Sequence, residues 1–182
     1  MLPQGAPPSV KLFIALLLSP DLPLDQVLGM LEEVFGSADF IGTPHPFDVT
    51  DSYEAEMGPG LVRTLVGFTG PHHADILVPG KQACIALERG LAVDGQRTAN
   101  LDLGYLDENK IVLASTKGAG QKIYLSDGIY ADLIARYGEG SYKPFEWSFQ
   151  EFTDGWYNTE FQALRQLLLE GSRKKALKAK VP

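Results

Sequence analysis

The sequence predicts an α+β fold: a ferredoxin-like, mostly antiparallel sheet with two or three helices and an added C-terminal β-hairpin. Three observations predict it. Up to residue 103, strand-like and helix-like segments follow the order strand, helix, strand, strand, helix, strand. One of them, residues 10–18, is apolar on both faces, as a central strand must be. Beyond residue 103, strand-like runs flank an Asp-Gly turn, the strongest short hairpin signal.

Residues 1–9 are rich in Pro and Gly and are expected to form a flexible N-terminus. The apolar run of residues 12–18 has seven residues, too few to span a bilayer. Lys11 precedes it as in a signal peptide, but Ser19-Pro-Asp-Leu-Pro23 offers no small-x-small cleavage site. A buried strand is the better reading, and no membrane partner is expected. Residues 23–35 read as a helix, because Leu24, Val27, Leu28, Leu31 and Phe35 share one face. Pro23 suits its first position and Gly36 its left-handed stop.

Residues 38–43 read as a short strand. Residues 44–59 are irregular and acid-rich, with Phe47, Tyr53 and Met57 set between Asp48, Asp51, Glu54 and Glu56. Residues 61–68 alternate as a strand does. Residues 72–90 hold a second helix, best formed from Pro79. Residues 97–103 and 110–116 are further strands. Around Asp127-Gly128, a two-residue type I′ turn pairs Ser126 with Ile129 and Ile123 with Asp132. Residues 143–154 are aromatic-rich and loop-like. Tyr157, Phe161, Leu164 and Leu168 mark a terminal helix, with Asp154 as its N-cap. No repeat or linker divides the chain, so residues 10–170 form one domain, followed by a basic flexible tail at 171–182.

Composition bounds the function. Hydrophobic residues make up 45% of the 182 residues, which supports a packed core. Cys84 is the one cysteine, so no intrachain disulfide forms, and the chain fits a reducing cytoplasm. Cys84 lies in an apolar helical run and reads as a structural thiol. The net charge is −7. Five of the 16 basic residues (Arg173, Lys174, Lys175, Lys178, Lys180) fall in the tail, so 11 face 23 acids elsewhere. An acidic body repels phosphate backbones, which argues against nucleic-acid binding by the core. The sequence sets no oligomeric state.

Strand alternation places Thr98, Asn100 and Asp102 on one face of residues 97–103. Three short hydrogen-bonding side chains in a row line a pocket or face solvent. Asp132 falls among Ile123, Leu125, Tyr130 and Ile134. A carboxylate there needs a partner if buried; a wet sheet edge is the commoner fate. Asp48, Asp51 and Glu54 could offer hard oxygen ligands to a divalent metal such as Mg²⁺, against the alternative of a solvated acidic loop. His72-His73 is a weak transition-metal lead. Ser115 and Lys117 share a strand face as a Ser–Lys pair would. Lys117 is a better candidate for an anion contact, with Gly118-Ala-Gly120 letting a backbone approach. No P-loop is present: in Gly90-Leu-Ala-Val-Asp-Gly95-Gln96-Arg97 a Gln stands where the phosphate-binding Lys belongs.

Several blocks carry a resemblance. Asn100-Leu-Asp-Leu-Gly-Tyr-Leu106, Leu113-Ala-Ser-Thr-Lys117, Ile123-Tyr-Leu-x-x-Gly-Ile-Tyr-Ala131, Pro46-Phe-Asp-Val-Thr-Asp-Ser-Tyr-Glu-Ala-Glu-Met-Gly58 and Lys11-Leu-Phe-Ile-Ala15 together resemble domain-of-unknown-function family 4416, an uncharacterised bacterial family. The resemblance covers roughly residues 9 to 165 and implies no established activity, although some members carry a generic GTP-binding label. The family pattern places an Asp after the Lys of the Ser-Thr-Lys block and a His-Arg pair before Ile-Tyr-Leu. This chain has Gly118, Gln121 and Lys122 there.

These readings converge on binding of a small anionic or nucleotide-like ligand, with metal-assisted catalysis as an extension. Asp102 and Glu54 are the candidate catalytic residues, as general bases or metal ligands. Asn100, Lys117, Asp132 and Thr98 are the candidate ligand contacts. Asp102 is expected to share a pocket with an acid of residues 48–56, their repulsion offset by a cation or Lys117. The alternative is a non-catalytic interaction module with Tyr53, Tyr105, Tyr124 and Trp147 as its surface.

Overall fold

The computed structural model describes Gly5 and residues 7–178. In chain order the elements are β1 (Ser9–Leu18), α1 (Leu24–Phe35), β2 (Ala38–Ile41), β3 (His45–Pro46), α2 (Glu54–Met57), β4 (Val62–Phe68), β5 (His72–His73), α3 (Leu77–Leu91), β6 (Ala99–Leu106), β7 (Lys110–Ser115), β8 (Ile123–Ser126), β9 (Ile129–Gly138), β10 (Ser141–Pro144), α4 (Gln150–Thr153) and α5 (Asn158–Lys178). Short 3-10 turns at Asp51–Tyr53 and Ala74–Ile76 lead into α2 and α3. The expected flexible ends fall partly outside the described residues, at 1–4, 6 and 179–182.

All ten strands join one antiparallel sheet, in the order β10-β9-β7-β6-β1-β4-β2. β3 adds to β4, β5 to β1 and β8 to β9. β1 lies at the centre, between β6 and β4, which explains why its residues are apolar on both faces. Leu12, Ile14, Leu16 and Leu18 pack with Val27, Leu31 and Phe35 of α1 and Cys84 of α3. Phe13 and Ala15 face the opposite way, onto Phe161, Leu164 and Leu168 of α5. Leu17 packs under the acid-rich segment with Phe47, Met57 and Leu61.

Among the described residues, five helices stand where two or three are expected. The two additions, α2 and α4, have four residues each. One turn is too short for a 3.6-residue hydrophobic period to be visible. The terminal helix also starts later than expected. Asp154 closes α4 instead of capping α5, and Gly155 turns the chain at φ 77° before Asn158. The Asp127-Gly128 turn has positive φ at both residues (51° and 76°), and Ser126 does oppose Ile129. A register shift between Tyr124 and Ser126 then places Ile123 opposite Ala131, not Asp132. One extra residue in a strand resets every face beyond it.

Among the described residues, no helix is long and apolar enough to cross a membrane.

Candidate functional site

β6 and β7 pair only through Gly104, Tyr105 and Leu106 opposite Leu113, Val112 and Ile111. The turn joining them is firmly tied. The Asp107 carboxylate accepts from the backbone of Asn109 (2.7 Å) and Lys110 (2.8 Å) and pairs with the Lys110 ammonium. The Tyr142 hydroxyl donates to the Asp107 carbonyl (2.6 Å). Past Gly104 the strands separate, and Ala99–Leu103 loses its neighbour on that side. Buried backbone groups must still be paired. Two α3 side chains do this: Lys81 Nζ donates to the Leu101 carbonyl (2.8 Å), and the Leu101 N–H donates to Glu88 Oε1 (2.6 Å). Gly80 lets α3 come this close, because a Cβ there would meet Leu103 Cδ1 at 3.0 Å.

The separation leaves a cavity of about 260 Å³. One wall carries Lys81, Glu88, Arg97, Asn100 and Asp102; the other carries Ser115, Lys117, Lys122 and Asp132; Tyr53 and Phe149 close it. Four of the expected site residues therefore meet here: Asn100, Asp102, Lys117 and Asp132.

Asp102 is the most heavily tied group. Its Oδ2 accepts from Arg63 Nη1 (3.1 Å) and Asn100 Nδ2 (2.8 Å). Its Oδ1 lies 3.8 Å from Lys81 Nζ. Burial alone would raise this carboxyl. The Arg63 and Lys81 charges and the two hydrogen bonds outweigh it and hold the pKa below the usual carboxylate value. Arg63 is 2% exposed. It also donates to the Ala15 carbonyl (3.3 Å) and to Glu151 Oε1 of α4 (3.1 Å), and its guanidinium lies over the Phe47 ring. Burial works against its charge, but Asp102, Tyr157 and Glu151 keep its pKa above the ordinary arginine value. The compensating cations are thus Arg63 and Lys81, not Lys117. Glu88 moves the other way. Burial raises its pKa, and Lys81, the Leu101 N–H and Arg97 lower it only in part.

The acid-rich segment does not bring the expected carboxylates. Asp48, Asp51 and Glu54 are exposed and do not line the cavity. Among the described residues, no group of three or more His, Cys, Asp or Glu side chains is arranged to hold a metal ion. The cause is hydrophobic. Phe47, Met57 and the half-buried Val49 and Tyr53 fold down onto Leu17 and Leu61, which turns the intervening acids outward. Tyr53 reaches the cavity instead, its pKa raised first by burial. Glu56 is joined to the site through Arg97, which bridges Glu56 Oε2 (2.9 Å) and Asn100 Oδ1 (2.5 Å). Thr98 is outside the cavity lining, its hydroxyl donated to the Leu91 carbonyl at the end of α3 (2.7 Å).

On the far wall Asp132 is 5% exposed, so the wet-edge reading fails. It is covered by Gln121 and Lys122. Gln121 Nε2 donates to Asp132 Oδ1 (2.7 Å), and Lys122 Nζ lies 3.8 Å from Oδ2. These are the two positions that depart from the His-Arg of the family pattern. An amide donor and an ammonium stand where the family pattern has a ring and a guanidinium, so any chemistry of that His is lacking here. Lys122 Nζ also donates to Ser115 Oγ (3.2 Å). Ser115 therefore meets the Lys122 ammonium, while at Lys117 its hydroxyl bonds only the backbone carbonyl and N–H (3.1 Å each). Gly118 packs against Tyr130, whose ring atoms an added Cβ would meet at 2.4–2.7 Å. That contact excludes the Asp of the family pattern unless the ring moves.

The remaining leads are structural. Cys84 is buried, and burial pushes its thiol up to about 12. His72 and His73 pair with β1, and His73 Nδ1 meets the Pro7 carbonyl (3.1 Å). Val93 and Gln96 bridge across a turn at Asp94-Gly95 that follows α3, whereas a P-loop leads into its helix. Of the four aromatic residues expected on a partner surface, Tyr105 is buried and Tyr53 half-buried; Tyr124 and Trp147 are exposed. Sequence reasoning missed Arg63, Lys81, Glu88 and Arg97 as site residues. Two signals pointed to them: a charge inside the apolar alternation of residues 61–68, and the i, i+7 spacing that puts Lys81 and Glu88 on one helix face.

The fold and site together define an α+β protein whose open antiparallel sheet holds a charged cleft between two of its own strands. A family model described as Domain of unknown function (DUF4416) matches residues 8–167, and the chain belongs to that family. No curated protein and no solved structure matches it.

Proposed function

We propose that the cleft between β6 and β7 binds a small anionic ligand. The observation that carries this reading is Lys81. Its side chain is 7% exposed, and among the described residues its ammonium makes one hydrogen bond within 3.5 Å, to the Leu101 carbonyl, with Asp102 Oδ1 at 3.8 Å and Glu88 Oε1 at 3.9 Å. An ammonium has three donors, and a buried charge needs partners. Lys122 repeats the pattern, with 14% exposure and one hydrogen bond. Lys81, Arg97, Lys117 and Lys122 line the cavity against Glu88, Asp102 and Asp132, a local cationic excess in a chain of net charge −7.

The volume favours a ligand smaller than a nucleotide. Pockets that take drug-sized ligands measure roughly 300–1,000 Å³, so a nucleotide would place its phosphate and sugar inside and its base outside. Asp102 is held ionised and serves as a hydrogen-bond acceptor, a poor general base near neutral pH. Glu88, with its raised pKa, is the better proton carrier. No divalent metal enters the reading, because Asp48, Asp51 and Glu54 point away. The free, buried Cys84 supports a reducing, cytoplasmic setting. For the fold, we read β6-β1-β4-β2 with crossover helices α1 and α3 as a ferredoxin-like half, extended by β7 to β10.

The test is isothermal titration with inorganic phosphate and with AMP, on the native protein and on Lys81→Met. Binding to the native protein that weakens about tenfold or more in the variant supports the reading, since a hydrogen bond to a charged group carries that much. Equal affinity in both refutes it.

A further inference from the structure

The two lysines are each set beside an aspartate in the same way. Lys81 Nζ lies 3.8 Å from Asp102 Oδ1, and Lys122 Nζ lies 3.8 Å from Asp132 Oδ2. Both separations are too long for a direct hydrogen bond. In each pair the nearer carboxylate oxygen accepts no hydrogen bond among the described residues, because Asp102 takes Arg63 and Asn100 on Oδ2 and Asp132 takes Gln121 on Oδ1. Each wall of the cleft therefore presents unused ammonium donors beside one unused acceptor.

We propose that the ligand is a small polyhydroxylated anion, a sugar phosphate or a sugar acid, whose hydroxyl groups bridge the two Lys–Asp pairs. This rests on the anion-binding reading above and specifies its chemistry. A hydroxyl is the group that donates and accepts at once. Its proton goes to the carboxylate oxygen while its lone pair takes an ammonium N–H. An oxygen about 2.8 Å from both atoms of a pair closes that triangle at ordinary hydrogen-bond lengths. A bare carboxylate satisfies the lysines but is repelled by the two carboxylates, and inorganic phosphate has its P–OH donors on a single centre. A neutral sugar uses the pairs but leaves Lys117 and the cationic excess without a partner. Lys117 is exposed and, among the described residues, makes no ion pair, so the anionic group of the ligand sits at its end of the cleft. Two pairs on opposite walls require at least two hydroxyls on one short ligand.

Titrating the native protein with ribose 5-phosphate, gluconate, ribose, inorganic phosphate and acetate tests this. Ribose 5-phosphate or gluconate is expected to bind at least about tenfold more tightly than inorganic phosphate, acetate or ribose, the size of one well-made hydrogen bond to a charged group. The stronger of the two identifies the anionic group. Asp132→Asn, which can still accept from Gln121, is expected to bring the hydroxylated probe down to the phosphate affinity while leaving phosphate binding equal or tighter. Lys122→Met is the second variant, and it weakens both. If phosphate and acetate bind as tightly as the hydroxylated probes, the hydroxyl inference fails and the anion reading stands. If ribose matches ribose 5-phosphate, or if none of the anions binds at millimolar concentration, the anion reading itself fails.

Discussion

Replacing Arg63 by methionine removes one guanidinium from between two carboxylates. Methionine fills a similar apolar volume, so the change falls mainly on charge. Asp102 keeps Asn100 at 2.8 Å and Lys81 at 3.8 Å. Glu151, with a side chain 4% exposed, loses the cation at 3.1 Å. Removing one partner of a buried pair costs about 3–5 kcal/mol, out of a total stability of about 5–15 kcal/mol. The pH dependence follows from the Asp102 carboxyl. Its folded-state pKa is depressed, so the stability it lends is present at neutral pH and is lost as pH falls through that depressed value. Without Arg63 its burial is less opposed and the pKa rises. The variant then takes up a proton in the folded state more readily than the native protein, and the gap between the two stabilities narrows as pH falls through the variant's raised value toward the native protein's depressed one. Urea unfolding followed by tryptophan fluorescence, repeated across that range, measures both effects. The cycle with Asp102→Asn is expected to fall short of additivity by about 1–3 kcal/mol. A neutral-pH loss below about 1 kcal/mol, or a gap that does not narrow in acid, refutes the assignment of Arg63 as the charge that holds Asp102.

Three further outcomes are expected. Gln121→His with Lys122→Arg restores the family pattern and is expected to keep thermal stability within about 1 kcal/mol, whereas Lys122→Ala uncovers Asp132 and costs about 1–3 kcal/mol; differential scanning calorimetry separates the two. Gly118→Asp drives a Cβ into the Tyr130 ring and is expected to cost about 1–3 kcal/mol, less when combined with Tyr130→Ala; equal costs in both backgrounds would remove the steric explanation. Leu164→Ala, at a fully buried position against Phe13 and Phe161, is expected to cost about 2–5 kcal/mol in chemical denaturation.

Much of the fold was legible because its signals are local. Residues 10–18 had to be central, since no edge strand is apolar on both sides. Asp127-Gly128 announced its turn through the positive φ that both positions adopt. The alternation of residues 97–103 put Asn100 and Asp102 on one face, and they do share the cleft. What escaped was set by tertiary pairing. Arg63 reaches Asp102 from a different strand, across β1. Lys81 and Glu88 matter because β7 leaves β6 at Gly104, and nothing in the chain near residue 81 records that departure. The acid-rich segment misled for a related reason. Its acids were conspicuous, but Phe47 and Met57 carry the larger burial energy, and they decided which way it faced. The bulge near Leu125 moved the partner of Ile123 by one residue, a shift that composition does not encode.

The tied turn at Asp107–Lys110 makes the cleft a pair of tweezers. The arms are the separated parts of β6 and β7, and the joint is the three residue pairs at Gly104–Leu106. Leu101 lies three residues beyond Gly104, where the strands part, about 10 Å at strand rise. A difference of about 10° in the strand angle there corresponds to roughly 2 Å at Leu101. The joint is tightly filled: a Cβ at Gly104 would meet the Val112 carbonyl at 2.8 Å and Phe13 at 2.9 Å. A methyl group added there would also press at 2.6 Å on Leu113 Cδ2, and Leu113 lines the cleft. The closed end of the cleft thus rests on the packing of a glycine that does not itself line it.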